Sequence, residues 1–154
     1  NKNILIMGLG GAGKAVSTYF CSKLLKNNKI YVSNRSIDKK SFSKKIKAKW
    51  INYSDIEKKI KIFDIIINCT SIGFQSNKMT PLKEKSIQKI KKKSIIYDII
   101  YQPKHTKLIQ LARKYNLKYS NGLEMNREQA VIAFKYVNKT NISKDKIRQI
   151  MKKL

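Results

Sequence analysis

Short apolar runs alternate along this chain with longer stretches in which apolar residues recur every three or four positions. Runs of this kind, followed by glycine, asparagine or serine, are typical of strands buried on both faces of a parallel sheet. They predict strands at residues 3–7, 30–33, 49–51, 63–67, 94–100 and 117–119. Strands that alternate with helices form βαβ units, so we predict a Rossmann-like, doubly wound α/β fold. Its mainly parallel sheet should carry helices on both faces.

The stretches between the strands predict the helices. One follows Gly13, with an apolar stripe at Val16, Phe20 and Leu24, and a long one follows Gly122. Shorter helices are expected at 38–46, 55–60 (with Ser54 as its cap), 83–93, 104–115 and 144–154. The long helix is expected to bury Ala130, Ala133, Phe134 and Val137.

The first predicted strand ends in glycines spaced as Gly8, Gly10 and Gly13, and a helix begins at once. In this context the first glycine allows a sharp turn, the second lets the backbone approach a pyrophosphate, and the third lets the helix pack close to the strand. The N–H groups at the start of the helix would face the phosphates. The motif therefore predicts a dinucleotide site.

The second strand ends in Asn34, Arg35 and Ser36, where an NAD site would need a carboxylate for the ribose 2′-hydroxyl. A guanidinium can instead pair bidentately with a 2′-phosphate, and Lys39 or Lys40 can add charge. This pattern favours NADP over NAD. The alternative is a solvated basic turn in a lysine-rich chain.

Polar residues also follow the later strands, whose carboxyl ends should meet the same ligand. Thr70 and Ser71 could contact the ribose or nicotinamide half of the cofactor, although Ser and Thr also stabilise ordinary turns. Asp98, inside an apolar strand, is interpreted as a structural hydrogen-bond acceptor, and His105 has no evident role.

Length and composition predict one folded domain, since 154 residues fit the usual ~100–200 per domain. The net charge of +26 is compatible with a nucleic-acid binder. However, the lysines are scattered along the chain, and only four of the 35 basic residues are arginine, the residue that most often reads bases. We interpret the charge as compositional drift that would still attract an anionic cofactor.

Few residues point to a metal or to a secreted protein. Cys21 and Cys69 predict two reduced thiols in a cytoplasmic protein, and a single histidine gives no metal site. Apolar runs are too short to cross a membrane. Because the chain begins at Asn1, directly on the first strand, we expect it to be the C-terminal part of something longer.

Five blocks resemble the cofactor domain of shikimate dehydrogenases, and the resemblance runs from Ile4 to about Val137. The blocks are Gly8-Leu-Gly-Gly-Ala-Gly13, Asn34-Arg-Ser36, Ile67-Asn-Cys-Thr-Ser71, Tyr97-Asp-Ile-Ile-Tyr101, and Asn121-Gly-Leu-Glu-Met125 with Gln129-Ala130. Thr106, opening the next helix, also fits. The resemblance implies NADPH-dependent reduction of 3-dehydroshikimate to shikimate in aromatic precursor synthesis.

The resemblance also implies roles for individual residues. Gly8, Leu9, Gly10, Gly11 and Ala12, with Gly13 behind them, would hold the pyrophosphate, and Asn34 to Lys39 the 2′-phosphate. Thr70, Ser71, Ile99 and Gly122 would line the nicotinamide end. Tyr101 and Gln129 would reach toward the substrate. Glu124 and Asn126 stand where the family usually has Gly and an apolar residue, and a carboxylate at 124 would lie near the nicotinamide end or its supporting turn.

The resemblance further implies what this chain lacks. The family's catalytic lysine and aspartate belong to a preceding substrate domain, and these 154 residues offer no such pair in its motif context. We therefore expect residues 1–154 to be the NADP-binding domain, with helices from about 121 packing back on it, and to be inactive alone. Alternatives are a quinate/shikimate dehydrogenase relative, a glutamyl-tRNA reductase domain, and a stand-alone nucleotide- or nucleic-acid-binding module.

Overall fold

A computed structural model describes residues 1–22 and 27–152. These residues form six strands and seven α-helices. In chain order they are β1 (Asn3–Met7), α1 (Gly11–Phe20), β2 (Lys29–Ser33), α2 (Lys40–Lys45), β3 (Lys49–Trp50), α3 (Ile56–Lys59), β4 (Ile65–Asn68), α4 (Glu84–Ile87), β5 (Ile95–Asp98), α5 (Lys107–Lys114), β6 (Lys118–Asn121), α6 (Leu123–Asn138) and α7 (Lys144–Met151). No described helix is long and apolar enough to span a bilayer.

All six strands pair in parallel, in the order β3-β2-β1-β4-β5-β6. From β1 the chain adds β2 and β3 on one side, and it then adds β4, β5 and β6 on the other side of β1. The strand order therefore reverses between β1 and β4, and doubly wound folds bind their ligands at this point. The predicted Rossmann-like fold is confirmed.

The core lies on both faces of this sheet, because successive side chains of a strand point to opposite sides. In β1, Leu5 and Met7 belong to one apolar cluster and Ile4 and Ile6 to another. Helices α3, α4 and α5 contribute to the first cluster, whereas α1 and α2 pack against the second. The continuous apolar runs are thus explained by burial on two sides.

Two local predictions are wrong. The helix expected at 83–93 ends at Ile87, and the lysine-rich residues after it form turns in which Lys91 binds Asp64. Ser54 caps no helix, because α3 begins at Ile56 after a 3₁₀ turn. Leu24, expected on the apolar stripe of α1, lies outside the described residues.

The buried face predicted for α6 is also wrong. Ala130, Ala133, Phe134 and Val137 are all exposed, and Val131 is the buried residue of this helix. The reason is that α6 leaves the sheet at β6 and packs along α7, so most of its surface has no neighbour within the described chain.

Asp64 ties the amino-terminal edge of the sheet together and gives a pH-dependent prediction. It accepts hydrogen bonds from Lys91 Nζ at 2.7 Å and from the backbone N–H of Asn3 at 2.8 Å. The hydrogen bond from Lys91 lowers the pKa of Asp64 most, and the hydrogen bond from Asn3 lowers it further. A lowered carboxyl pKa adds stability above the unfolded pKa of about 3.9, and this stability is lost as the pH falls through the folded pKa.

Asp64→Asn should therefore lower the free energy of unfolding by roughly 1–2 kcal/mol at pH 7 and by much less near pH 3. Urea denaturation at both pH values measures this. Asp55→Asn, which removes an exposed ion pair with Lys58, is the control and should change little. An equal loss from Asp64→Asn at both pH values would contradict the argument.

Candidate functional site

The carboxyl ends of β1, β2 and β4 meet at a cavity of about 610 Å³, a volume typical of small-molecule sites. It brings together nine of the predicted site residues and three that were not predicted. The lining residues are Gly8, Leu9, Gly10, Asn34, Arg35, Ser36, Lys39, Tyr53, Cys69, Thr70, Ser71 and Ile72.

The glycine turn is required by close backbone contacts. A Cβ on Gly8, whose φ is +92°, would lie 2.8 Å from backbone atoms of Cys69 and Thr70. A Cβ on Gly13 would lie 1.9 Å from the carbonyl oxygen of Gly8. These two glycines let β1, α1 and the turn after β4 approach one another.

Gly10 has a different role, because a Cβ there would meet no atom of the described residues within 4 Å apart from those of its chain neighbours. It is the N-cap of α1 and, as a glycine, has no side chain that could cap the helix. The first N–H groups of α1 are therefore left for a ligand at the positive end of the helix dipole. A phosphate fits this open cradle. Gly11 and Ala12 lie exposed in the first turn of α1.

Asn34 links the end of β2 to the glycine turn. Its Oδ1 accepts a hydrogen bond from the Leu9 N–H at 3.0 Å, and its Nδ2 donates to the Ser36 carbonyl at 3.2 Å. The side chain thus organises the walls of the cavity. Its amide has less capacity left to bind a phosphate than the sequence led us to expect.

Arg35 is exposed at the rim of the cavity. None of the ion pairs within residues 1–22 and 27–152 includes it, so its guanidinium is available to an anion. Lys39 has Asp38 at 3.2 Å, but the two side chains are 42% and 61% exposed, and such a pair holds the lysine weakly. Among the described residues that line the cavity there is no carboxylate.

The turn after β4 is held by its own side chains. Thr70 Oγ1 donates to Asn68 Oδ1 at 2.7 Å and accepts from the Ile72 N–H at 3.1 Å. This hydroxyl therefore shapes the turn, while Ser71 is exposed. Burial, and secondarily the charge of Asp98, raises the pKa of the Cys69 thiol to about 12, so the thiol stays protonated.

Seven predicted residues lie outside the lining of this cavity. They are Gly11, Ala12 and Gly13 in the first turn of α1, and Ile99, Gly122, Tyr101 and Gln129. Ile99 and Gly122 are in contact, since a Cβ on Gly122 would be 1.8 Å from the Ile99 carbonyl oxygen. Tyr101 and Gln129 are exposed on the β5–α5 connection and on α6. Neither residue is among the described residues that line the cavity at the glycine turn.

Tyr53, Cys69 and Ile72 were missed from sequence. Tyr53 lies in a 3₁₀ turn directly after β3, and its hydroxyl donates to the Pro81 carbonyl oxygen. Burial raises the pKa of Tyr53. The rule that ligands lie at strand ends could have found it, and Cys69 and Ile72 simply flank the predicted Thr70 and Ser71.

Glu124, which stands where the family usually has glycine, forms an ion pair with a neighbour on its own helix. Its carboxylate pairs with Arg127 at 2.6 Å, and 70% of the side chain is exposed. Glu124 and Arg127 also line a small cavity between α6 and α7, together with Arg148. The carboxylate is therefore directed to the α7 side of the helix.

The predicted role of Asp98 as a structural acceptor is confirmed. This fully buried side chain accepts hydrogen bonds from Thr106 Oγ1 at 2.7 Å, Asn68 Nδ2 at 3.0 Å and the Ile100 N–H at 3.2 Å. Burial raises the pKa of Asp98, and these three hydrogen bonds act in the opposite direction.

The strand order, together with a glycine turn that opens α1 on this cavity, defines a Rossmann-type nucleotide-binding domain. The model of the shikimate/quinate 5-dehydrogenase family matches residues 1–120. The chain belongs to this family.

Individual relatives agree with this assignment. The NADP⁺ shikimate dehydrogenase of Methanococcus maripaludis is 41% identical over 144 residues, which are 87% of this chain and 48% of the relative. A crystal structure of a shikimate dehydrogenase in complex with NADP⁺ is 29% identical, with a TM-score of 0.75 over 97% of this chain and 53% of that one. Quinate dehydrogenase from Corynebacterium glutamicum in complex with NAD shares the fold, with a TM-score of 0.81 at 21% identity. The chain spans about half the length of the curated relatives it matches.

Proposed function

We propose that this chain is the NADP(H)-binding domain of a shikimate dehydrogenase. The whole enzyme would reversibly reduce 3-dehydroshikimate to shikimate with NADPH, in the biosynthesis of chorismate and the aromatic amino acids. One observation carries the proposal: Arg35, which pairs with no carboxylate of the described residues, lines the same cavity as the glycine turn. A guanidinium in this position selects for a 2′-phosphate.

The residues of the cavity fit the two charged parts of such a cofactor. The α1 N-terminus and the turn from Gly8 to Ala12 would bind the pyrophosphate. Arg35, Ser36 and Lys39 would bind the 2′-phosphate, with Asn34 holding the wall between the two sites. Thr70, Ser71, Ile99 and Gly122 would form the nicotinamide end. The cofactor itself supplies hydride chemistry, and the protein supplies binding and orientation.

The proton donor for this reaction would lie in the other half of the enzyme. Of the Lys–Asp pairs in the described chain, Lys91 with Asp64 lies at the amino-terminal edge of the sheet, opposite the cavity, and Lys39 with Asp38 lies at the end proposed for the 2′-phosphate. We therefore propose that this chain alone turns over no substrate. The exposed apolar side of α6, including Tyr136 and Val137, supports the presence of further polypeptide against it. Tyr101 and Gln129 would then face the shared substrate.

The remaining properties follow from the same assignment. Cys21 and Cys69 are free thiols, which supports a cytoplasmic enzyme. We propose a monomer or homodimer, without metal or membrane attachment. Because substrate contacts would come mainly from the other half, a preference for quinate over shikimate is the second candidate, supported by the family's description.

Titration of the purified chain with NADPH and with NADH tests the cofactor proposal. We expect NADPH to bind more tightly by roughly tenfold to a hundredfold, the value of one charge-assisted hydrogen-bonded phosphate contact. Equal affinities would refute the role of Arg35. Tight, steeply salt-dependent binding of DNA or RNA without NADPH binding would instead favour a nucleic-acid module.

A further inference from the structure

A chain of buried side-chain hydrogen bonds connects the ends of β4 and β5. Asn68 and Asp98 are register partners in the two strands, and both are fully buried. Asn68 Nδ2 donates to Asp98 Oδ1 at 3.0 Å and to the Ile72 carbonyl at 3.4 Å. Asn68 Oδ1 accepts from the N–H and the hydroxyl of Thr70. Asp98 thus holds the amide that shapes the turn after β4.

The same carboxylate organises the segment after β5. Asp98 Oδ1 accepts from the Ile100 N–H, and the Ile100 carbonyl in turn accepts from the Gly122 N–H at 3.2 Å. Asp98 Oδ2 accepts from Thr106 Oγ1 at 2.7 Å, and this hydroxyl also caps α5 by accepting from Ile109 N–H. One buried carboxylate therefore reaches two turns and a helix N-terminus.

We propose that Asp98 is a positioning residue for the nicotinamide end of the cofactor, acting through Asn68 and Thr106. The inference rests on the proposed function. The four residues assigned to that end, Thr70, Ser71, Ile99 and Gly122, all lie on segments that this network joins. The adenosine half of the site, around Arg35, receives no hydrogen bond from the network within the described residues.

The network is suited to this task because its members satisfy one another. A buried polar network rigidifies its surroundings when every group is paired, and loss of one partner leaves another unsatisfied. Removing the charged acceptor should therefore loosen the turn after β4 and the segment after β5 together. The rim at Arg35, which receives no hydrogen bond from the network within the described residues, would keep its geometry.

The experiment compares two ligands on the full chain: NADPH, which carries the nicotinamide, and adenosine 2′,5′-bisphosphate, which does not. In Asp98→Asn we expect the NADPH affinity to fall by roughly three- to tenfold, on the scale of one buried hydrogen bond. The bisphosphate affinity should stay within about twofold of the unmodified chain. The fluorescence change of NADPH on binding should shrink, because it reports the nicotinamide surroundings.

Thr106 provides a second route if Asp98→Asn fails to fold. Thr106→Val removes the hydroxyl and should reproduce the selective loss of NADPH, whereas Thr106→Ser keeps the hydroxyl and should restore it. Ser143→Ala removes a comparable N-cap bond in α7, from Lys146 N–H, and should leave both affinities unchanged.

Equal weakening of both ligands in folded variants would overturn the positioning role, and so would no weakening of either. If the unmodified chain binds neither NADPH nor the bisphosphate, the proposed function itself is refuted. The two failures are thus distinguishable.

Discussion

Gly13→Ala is expected to destabilise the fold by about 3 kcal/mol or more. A Cβ at this position would lie 1.9 Å from the carbonyl oxygen of Gly8 and 2.8 Å from its carbonyl carbon. Both contacts are with backbone, so no side-chain rotation can relieve them. Either α1 or the turn after β1 would have to move, which would disturb the apolar cluster that includes Ile4 and Ile6. Thermal or urea unfolding followed by circular dichroism measures the loss.

Gly10→Ala is the matched control within the same motif. Apart from its chain neighbours, its Cβ would meet no atom of the described part of the chain within 4 Å, and the φ of −71° suits alanine. We therefore expect unfolding within about 0.5 kcal/mol of the unmodified chain, together with markedly weaker NADPH binding, because the methyl group would occupy the space of the pyrophosphate. If Gly13→Ala were as stable as the unmodified chain, the contact between Gly13 and the Gly8 carbonyl would be less tight than the 1.9 Å distance indicates.

Arg35→Ala is expected to weaken NADPH binding by roughly tenfold to a hundredfold and to leave NADH binding unchanged. The guanidinium lies at the cavity rim, is exposed and joins none of the described ion pairs, so its removal breaks no ion pair of the described residues. The loss should diminish at high ionic strength, since the interaction is between charges at an exposed site. Fluorescence titrations at two salt concentrations provide the measurement.

Two further variants make this result specific. Arg113→Ala removes one arginine from α5, outside the cavity lining, and should leave both affinities unchanged. Lys39→Ala should produce a smaller NADPH loss than Arg35→Ala, because lysine lacks the bidentate geometry and Asp38 competes for it. A parallel loss of NADH binding in Arg35→Ala would mean that this residue maintains the site in general.

Local patterns predicted the sheet well and the ends of helices less well. The apolar runs in β1, β4 and β5 identify strands because they are buried on both faces. The helix predicted at 83–93 stops at Ile87, where a long-range ion pair of Lys91 with Asp64 replaces continued helix. The periodicity that predicted a buried face on α6 is real, but no element of the described chain covers that face.

The residues of the candidate site also differ in how far the sequence alone predicts them. Gly8, Gly10, Gly13 and Arg35 could be identified from sequence, because each lies in or directly after a strand-end motif. The strand-end rule could have named Tyr53 as a candidate, but its place in the cavity depends on the neighbouring position of β2 and β3 in the sheet.

By itself, the amino-acid sequence determined the βαβ architecture, the phosphate-binding turn and the preference expected for NADP, because each depends on residues close together in the chain. Only the tertiary structure decided how those parts serve one another. It showed that Gly13 packs on Gly8 while Gly10 is left open, and that Asn34 joins the glycine turn to the end of β2. It also showed Asp98 bonded to groups on three segments. Such contacts depend on how far apart atoms lie in space, which spacing along the chain does not record.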